Sequence, residues 1–201
     1  MGLTGGIGAG KSAALEAFAS CGAAVLSSDD VVHAVYGDPD VVAAVRGRFG
    51  DGVLGPDGAV DRRALGPRAL AAEGGIAFLE GLVHPRVQGA REAWFAAEMA
   101  RDPRPGLLVC EVPLLFEARL AHHFDVVLVV TASDPVRRAR VEARGQDFDA
   151  MRSRQTPEDE KVARADAHYV NDAGLAELRA WVADRYAEYS GRPCHAAIDR
   201  H

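Results

Sequence analysis

The sequence predicts an α/β fold in which a parallel sheet is covered by helices on both sides. Three observations predict it. Candidate strands alternate with helical segments along the chain. The strand candidates are apolar on both faces, as strands of a buried parallel sheet are. A glycine-rich run, LTGGIGAGKS from Leu3 to Ser12, stands between the first strand and the first helix.

The elements follow in order. Met1-Gly-Leu-Thr4 reads as the end of a strand, short for one. Lys11 to Gly22 places small and apolar residues at helical spacing and closes on glycine, as helices often do. AAVLSSDD is a second short strand with a polar end. A short helix is expected from Asp29 to Gly37 and another over residues 40–50, followed by turn chemistry in DGVLGPDG. A helical region then runs through ALGPRALAAEGGIAFLEGLVHPRVQGAREAWFAAEMARD, with a break at Gly74-Gly75 and a kink expected at Pro85. GLLVCEVP is a buried strand, and FDVVLVVTAS is the most β-branched run in the chain. DPVRRARVEARG and PEDEKVARAD read as helices, the second opening on proline and acids. HYVN is a last short strand, and LAELRAWVADRYAEY is a closing amphipathic helix. The tail after Ser190 has no periodicity and is expected to be mobile.

At 201 residues the chain fits one domain with a lobe or insertion, and it is long enough for a sizeable core. Its 48% hydrophobic and 26% charged residues are ordinary globular values. A net charge of −6 argues against a broad nucleic-acid surface, which needs a basic stripe, but leaves room for a local basic pocket. Cys21, Cys110 and Cys194 are far apart, so a disulfide framework is not expected, and Cys21 and Cys110 read as small buried residues. No leader-like or membrane-spanning run is visible, and a cytoplasmic protein is expected.

Gly5, Gly10, Lys11 and Ser12 fit GxxxxGK[ST] position by position. Glycines let successive N–H groups wrap a phosphate, and the helix that follows adds its N-terminal amides. Lys11 reaches the β- and γ-phosphate oxygens, and the Ser12 hydroxyl is placed for Mg²⁺. A dinucleotide fingerprint fails, because Lys11 stands where its last glycine belongs. A GTPase is excluded by the lack of DxxG and NKxD strings. ATP-driven motors are usually larger, and a compact chain with the loop near its N-terminus fits a kinase that moves the γ-phosphate to a small acceptor.

Such an enzyme must position an acceptor hydroxyl. Asp29 and Asp30 end the second strand, where the crevice of an open α/β sheet lies. Asp29 is taken as functional and Asp30 as a first-turn acid. Glu111 ends the next strand and either holds Mg²⁺ through water or is a solvated strand end. Arg137, Arg138, Arg140 and Arg144 form a basic cluster, with Arg152 and Arg154 beyond. Arg140 and Arg144 are spaced to share a helix face and clamp triphosphate oxygens, while a solvated basic face is the plain alternative for each. His84 has no metal-spaced partner, and His122-His123 is expected at the surface.

The ordered set GLTGGIGAGKS, VLSSDDVV, VHPRV, EVPLLFE, RARVEAR and RQTPEDEKVARAD with a following asparagine resembles the dephospho-CoA kinase family, from about Gly2 to Asn171. The resemblance implies a P-loop kinase fold of five parallel strands, with a helical acceptor-binding region and a small lid. On this chain it places core segments near 1–30, 105–135 and 165–190, the helical region near 31–104 and the lid near 140–160, all within one domain. It implies transfer of the ATP γ-phosphate, with Mg²⁺, to the 3′-hydroxyl of dephospho-CoA.

Residue by residue, the resemblance assigns Gly6, Ile7, Gly8, Ala9, Gly10, Lys11 and Ser12 to the phosphates and Asp29 to the acceptor hydroxyl. It places His84-Pro85 and the Pro113, Leu114 to Glu117 segment with the acceptor. Arg140 and Arg144 go to the ATP side, Arg140 among the catalytic groups, and Asn171 lies near the adenine. Gln155, Lys161 and Asp166 match a further family segment without a stated role. The chain departs from the family at Ser27, Ala13, His33 and Met151, which bears on rate and acceptor affinity more than on ATP binding. The expected partners are ATP and dephospho-CoA, with no nucleic acid and no membrane, in a monomer or weak homo-oligomer. A kinase for another small acceptor, and a nucleotide-binding homologue with little activity, are the alternatives.

Overall fold

The computed structural model describes residues 1–153 and 155–192; Arg154, Cys194 and most of the tail taken as mobile lie outside the described residues. The chain divides into two compact units, Met1–Ser27 with Glu98 onward, and Ser28–Ala97.

The first unit is built on five parallel strands: β1 (Gly2–Gly5), β2 (Ala24–Ser27), β3 (Leu108–Glu111), β4 (Val127–Thr131) and β5 (Ala167–Val170), in the order β2-β3-β1-β4-β5. Among the described residues the α-helices are α1 (Lys11–Ser20), α2 (Ser28–Tyr36), α3 (Pro39–Phe49), α4 (Arg62–Ala71), α5 (Gly75–Met99), α6 (Asp134–Glu142), α7 (Phe148–Arg152), α8 (Glu158–Ala163) and α9 (Leu175–Tyr189). All five strands have four or five residues, so the brevity of β1 is the rule of this sheet. Its register pairs Leu3 with Glu111 on one side and Leu128 on the other.

Every residue of β4 is buried, and since side chains alternate along a strand, both faces of the sheet are covered there. On one face α1 and α9 supply Phe18, Leu178 and Val182 against Leu3, Val109, Leu128 and Val130. Cys110 is buried and Cys21 half-buried. Asp166 ties β5 to β4, its backbone N–H donating to the Val127 carbonyl while its carboxylate accepts from the Val127 N–H at 2.7 Å.

The second unit has its own core of Val35, Val41, Val45, Val53, Leu65 and Val83. Asp38 and Asp61 cap α3 and α4 by accepting N–H groups of the first turn, and Pro39 opens α3 where its missing N–H costs nothing. α4 and α5 are separated near Gly74, which takes φ +66°, where the break was expected; α5 then runs on through Pro85. Among the described residues, no helix is long and apolar enough to cross a membrane.

Candidate active site

The glycine run is the turn between β1 and α1, as the motif requires. Gly10 caps α1 at φ +103°, a conformation L side chains rarely adopt, and a β-carbon there would land on the Asn171 side-chain amide. The carbonyls of the loop have assigned partners. Arg140 Nη1 donates to the carbonyls of Gly8 and Ala9 at 3.3 and 3.4 Å, and its Nη2 donates to the Asn171 carbonyl at 3.0 Å. Asn171 Nδ2 donates to the buried Ala9 carbonyl at 2.9 Å. In a trans peptide the N–H opposes the C=O, so holding the Ala9 carbonyl outward turns the Gly10 N–H to the other side, with the first amides of α1. Those N-terminal amides carry partial positive charge, and the first turn of α1 holds no acid to cancel it. Lys11 Nζ donates to the Gly6 carbonyl at 3.2 Å, folded back over the loop it would serve. Ser12 is exposed in the first turn of α1.

A second layer surrounds the loop. Gln155 Oε1 accepts the Ile7 N–H at 2.9 Å. The carboxylate of Glu158 and Nη1 of Arg137 fill the place that a β-carbon on Gly6 would take. Arg137 is buried, 3% exposed, which corrects the solvated basic face as an account of this residue. It pairs with Asp134 at 2.5 Å and Glu158 at 3.1 Å, and its guanidinium lies 5.3 Å from the centre of the Phe148 ring. The Arg137 hydrogen bond holds the Asp134 carboxyl below its ordinary range. Burial pushes the Glu158 carboxyl up, and the Arg137 charge offsets only part of that. Asp134, Arg137, Arg152, Gln155, Thr156 and Glu158 line a cleft of about 480 Å³ beside the loop.

The remaining arginines separate. Arg138 is committed to Asp149, at 2.7 Å, and to Glu142, which raises its pKa. Arg144 lies in the turn that follows α6, which ends at Glu142, where its N–H donates to the Val141 carbonyl. Arg144 is exposed. Glu111 is 5% exposed at the end of β3, so it is not a solvated strand end. Pro113 accepts a hydrogen bond from Thr4 Oγ1 at 3.4 Å, and Leu114 beside it is an exposed apolar side chain. In the other unit, Asp29 and Asp30 are both exposed acids in the first turn of α2, and His84 is exposed on α5. The roles of Glu158 and Arg137 at the loop were not foreseen. The acids of PEDEK signalled a helix start, and nothing local reveals that one of them leans on Gly6.

The family model described as dephospho-CoA kinase matches residues 1–177. The chain belongs to the dephospho-CoA kinase family. Relatives named dephospho-CoA kinase include one from Rhizobium etli, 39% identical over 199 residues and aligned over 96% of this chain and 94% of its own. Another, from Anaeromyxobacter dehalogenans, is 41% identical over 192 residues, covering 92% and 89%. A solved structure from Thermus thermophilus superposes with a TM-score of 0.77 at 31% identity, covering 94% of this chain and 97% of that one. A solved dephospho-CoA kinase from Campylobacter jejuni superposes with a TM-score of 0.63 at 19% identity, a likeness of fold.

Proposed function

We propose that this chain transfers the γ-phosphate of ATP to the 3′-hydroxyl of dephospho-CoA, giving coenzyme A and ADP. The observation that carries the reading is the phosphate loop. Its carbonyls are held outward by Arg140 and Asn171, and its Gly10 turn delivers the chain into the α1 N-terminus.

In this reading the amides from Gly8 to Ser12 receive the β- and γ-phosphates. Lys11 exchanges the Gly6 carbonyl for phosphate oxygens, and its charge answers the charge that develops in transfer. The acceptor oxygen forms its bond to phosphorus as the bond to the bridging oxygen breaks. ADP leaves with that electron pair, and the acceptor proton goes to Asp29, which we assign to the hydroxyl. Arg140 acts from behind the loop and Asn171 holds it from the same side, a role that an adenine contact would add to. His84, Pro113 and Leu114 are assigned to the acceptor, and Arg144 to the ATP side.

The residues present suit Mg²⁺. Ser12 offers a hydroxyl and Glu111 a carboxylate for a water-mediated contact, both hard oxygen donors. Mg²⁺ is commonly held by one or two protein oxygens with substrate phosphates and water filling the rest of its shell, which suits this pair of donors. When bound, the ion would neutralise charge on the β- and γ-phosphate oxygens. We further propose that the protein works in the cytoplasm as a monomer or weak homo-oligomer, without nucleic acid or membrane as a partner.

The test is to incubate pure protein with MgATP and, in turn, dephospho-CoA, adenosine and nucleoside monophosphates. ADP and coenzyme A in equal amounts with dephospho-CoA alone support the reading. ADP only with another acceptor, or ATP binding without product, overturns it.

A further inference from the structure

Two charged residues of the family-like segments have no part in the chemistry above: Glu117, which ends PLLFE, and Lys161, in PEDEK. The fold brings them together. Lys161 is 0% exposed, and its Nζ lies 2.9 Å from Glu117 Oε1. That same oxygen accepts the Thr156 N–H at 2.7 Å. Burial alone would push the Glu117 carboxyl up, but the Lys161 ammonium, the Thr156 amide and its own amide together draw it down, so it is ionised at neutral pH. Arg164, just past α8, covers the Phe116 ring at 4.3 Å. The stretch from Gln155 to Arg164 is thus fastened to PLLFE on one side. On the other it touches the phosphate loop, through Gln155 on the Ile7 N–H and Glu158 against Gly6.

The pairing is costly by itself. A lysine taken wholly out of water loses several kcal/mol of solvation, and apolar residues of the same volume are often no less stable. Here the 2.9 Å contact between the two charges and the Thr156 amide offset part of that loss. What the pair does fix is the place of the Thr156 amide, and with it the neighbouring Gln155.

We propose that Glu117 and Lys161 are positioning residues for phosphoryl transfer: the buried pair anchors Thr156, so that Gln155 holds the Ile7 amide and keeps the phosphate loop shaped for nucleotide. This rests on the kinase reading, but the test reads nucleotide affinity and does not need turnover. A parent that binds ATP and transfers nothing defeats the function and leaves this test intact.

The experiment measures ATP dissociation constants by calorimetry for four full-length proteins: the parent, Gln155→Ala, Glu117→Leu/Lys161→Met, and the triple variant. One hydrogen bond to the loop corresponds to about three- to tenfold in affinity. Gln155→Ala and the apolar pair are each expected to weaken ATP by that factor, and the triple variant to be no weaker than either. Losses that multiply in the triple variant would overturn the proposal, because the pair would then act by another route. So would tighter binding by Gln155→Ala, which would make Gln155 a competitor of phosphate. Glu117→Gln/Lys161→Met removes both charges yet keeps an acceptor for Thr156. It is expected to bind ATP within about twofold of the parent, and it carries the test if the leucine variant does not fold. Affinity reduced as far as in Gln155→Ala would overturn the anchor.

Discussion

Replacing Asn171 by alanine removes the Nδ2–H that reaches the Ala9 carbonyl at 2.9 Å. Ala9 is buried, and its carbonyl keeps only the longer 3.4 Å contact from Arg140. The Arg140 bond to the Asn171 backbone carbonyl survives the change, so the loss is confined to one hydrogen bond on the loop. A buried acceptor deprived of its partner costs about 1–3 kcal/mol. For a chain of this size each kcal/mol lowers the melting temperature by about 2–4 °C, so the nucleotide-free protein should melt roughly 2–12 °C lower. The assay is thermal unfolding of Asn171→Ala and its parent, without nucleotide and with saturating ATP. The two roles part in the nucleotide-free measurement. A side chain that served only the adenine would leave that melting temperature where it was and lower ATP affinity alone, and that result would refute the loop-holding role.

Other predictions follow from the same geometry. Lys11→Ala should lower turnover at least about a hundredfold in steady-state assays, since a cation is lost where charge develops; unchanged activity would contradict the cradle. Asp29→Asn should cut kcat far more than it weakens ATP binding, compared by kinetics and calorimetry, and near-normal turnover would remove Asp29 from the chemistry. Glu158 has its carboxyl raised by burial, so its contribution to stability is fully present below its unfolded pKa and is lost as pH rises through the folded value. Glu158→Gln should therefore gain melting temperature relative to the parent as the buffer goes from pH 4 to pH 8. A gain that shrinks over that range would show the sign to be wrong.

The sheet and the loop were legible because their signals are local. GxxxxGKS is contiguous, and the runs that became β3 and β4 are apolar on both faces in any window that contains them. α7 escaped notice because five residues give no period to detect; it is held by the Asp147 cap and by the Arg138–Asp149 pair, whose members lie on different helices. Arg137 read as one more basic residue on α6 because the residues that bury and pair it, Phe148 and Glu158, come from elements further along the chain. The turn that holds Arg144 read as helix because the periodic pattern carries on past the point where α6 stops. The Glu117–Lys161 contact joins two segments far apart in sequence, and no spacing rule on one chain connects them. The site was therefore visible as an inventory of residue types, while the supports around the loop emerged only with the fold.

Acceptor-dependent product formation is the most direct test of the central claim that the residue 5–12 loop carries ATP for transfer to dephospho-CoA. With MgATP and dephospho-CoA, the parent should yield ADP and coenzyme A in equal amounts, and Lys11→Ala should yield almost none. A parent that binds ATP tightly but produces no coenzyme A, or a Lys11→Ala variant as active as the parent, would contradict it.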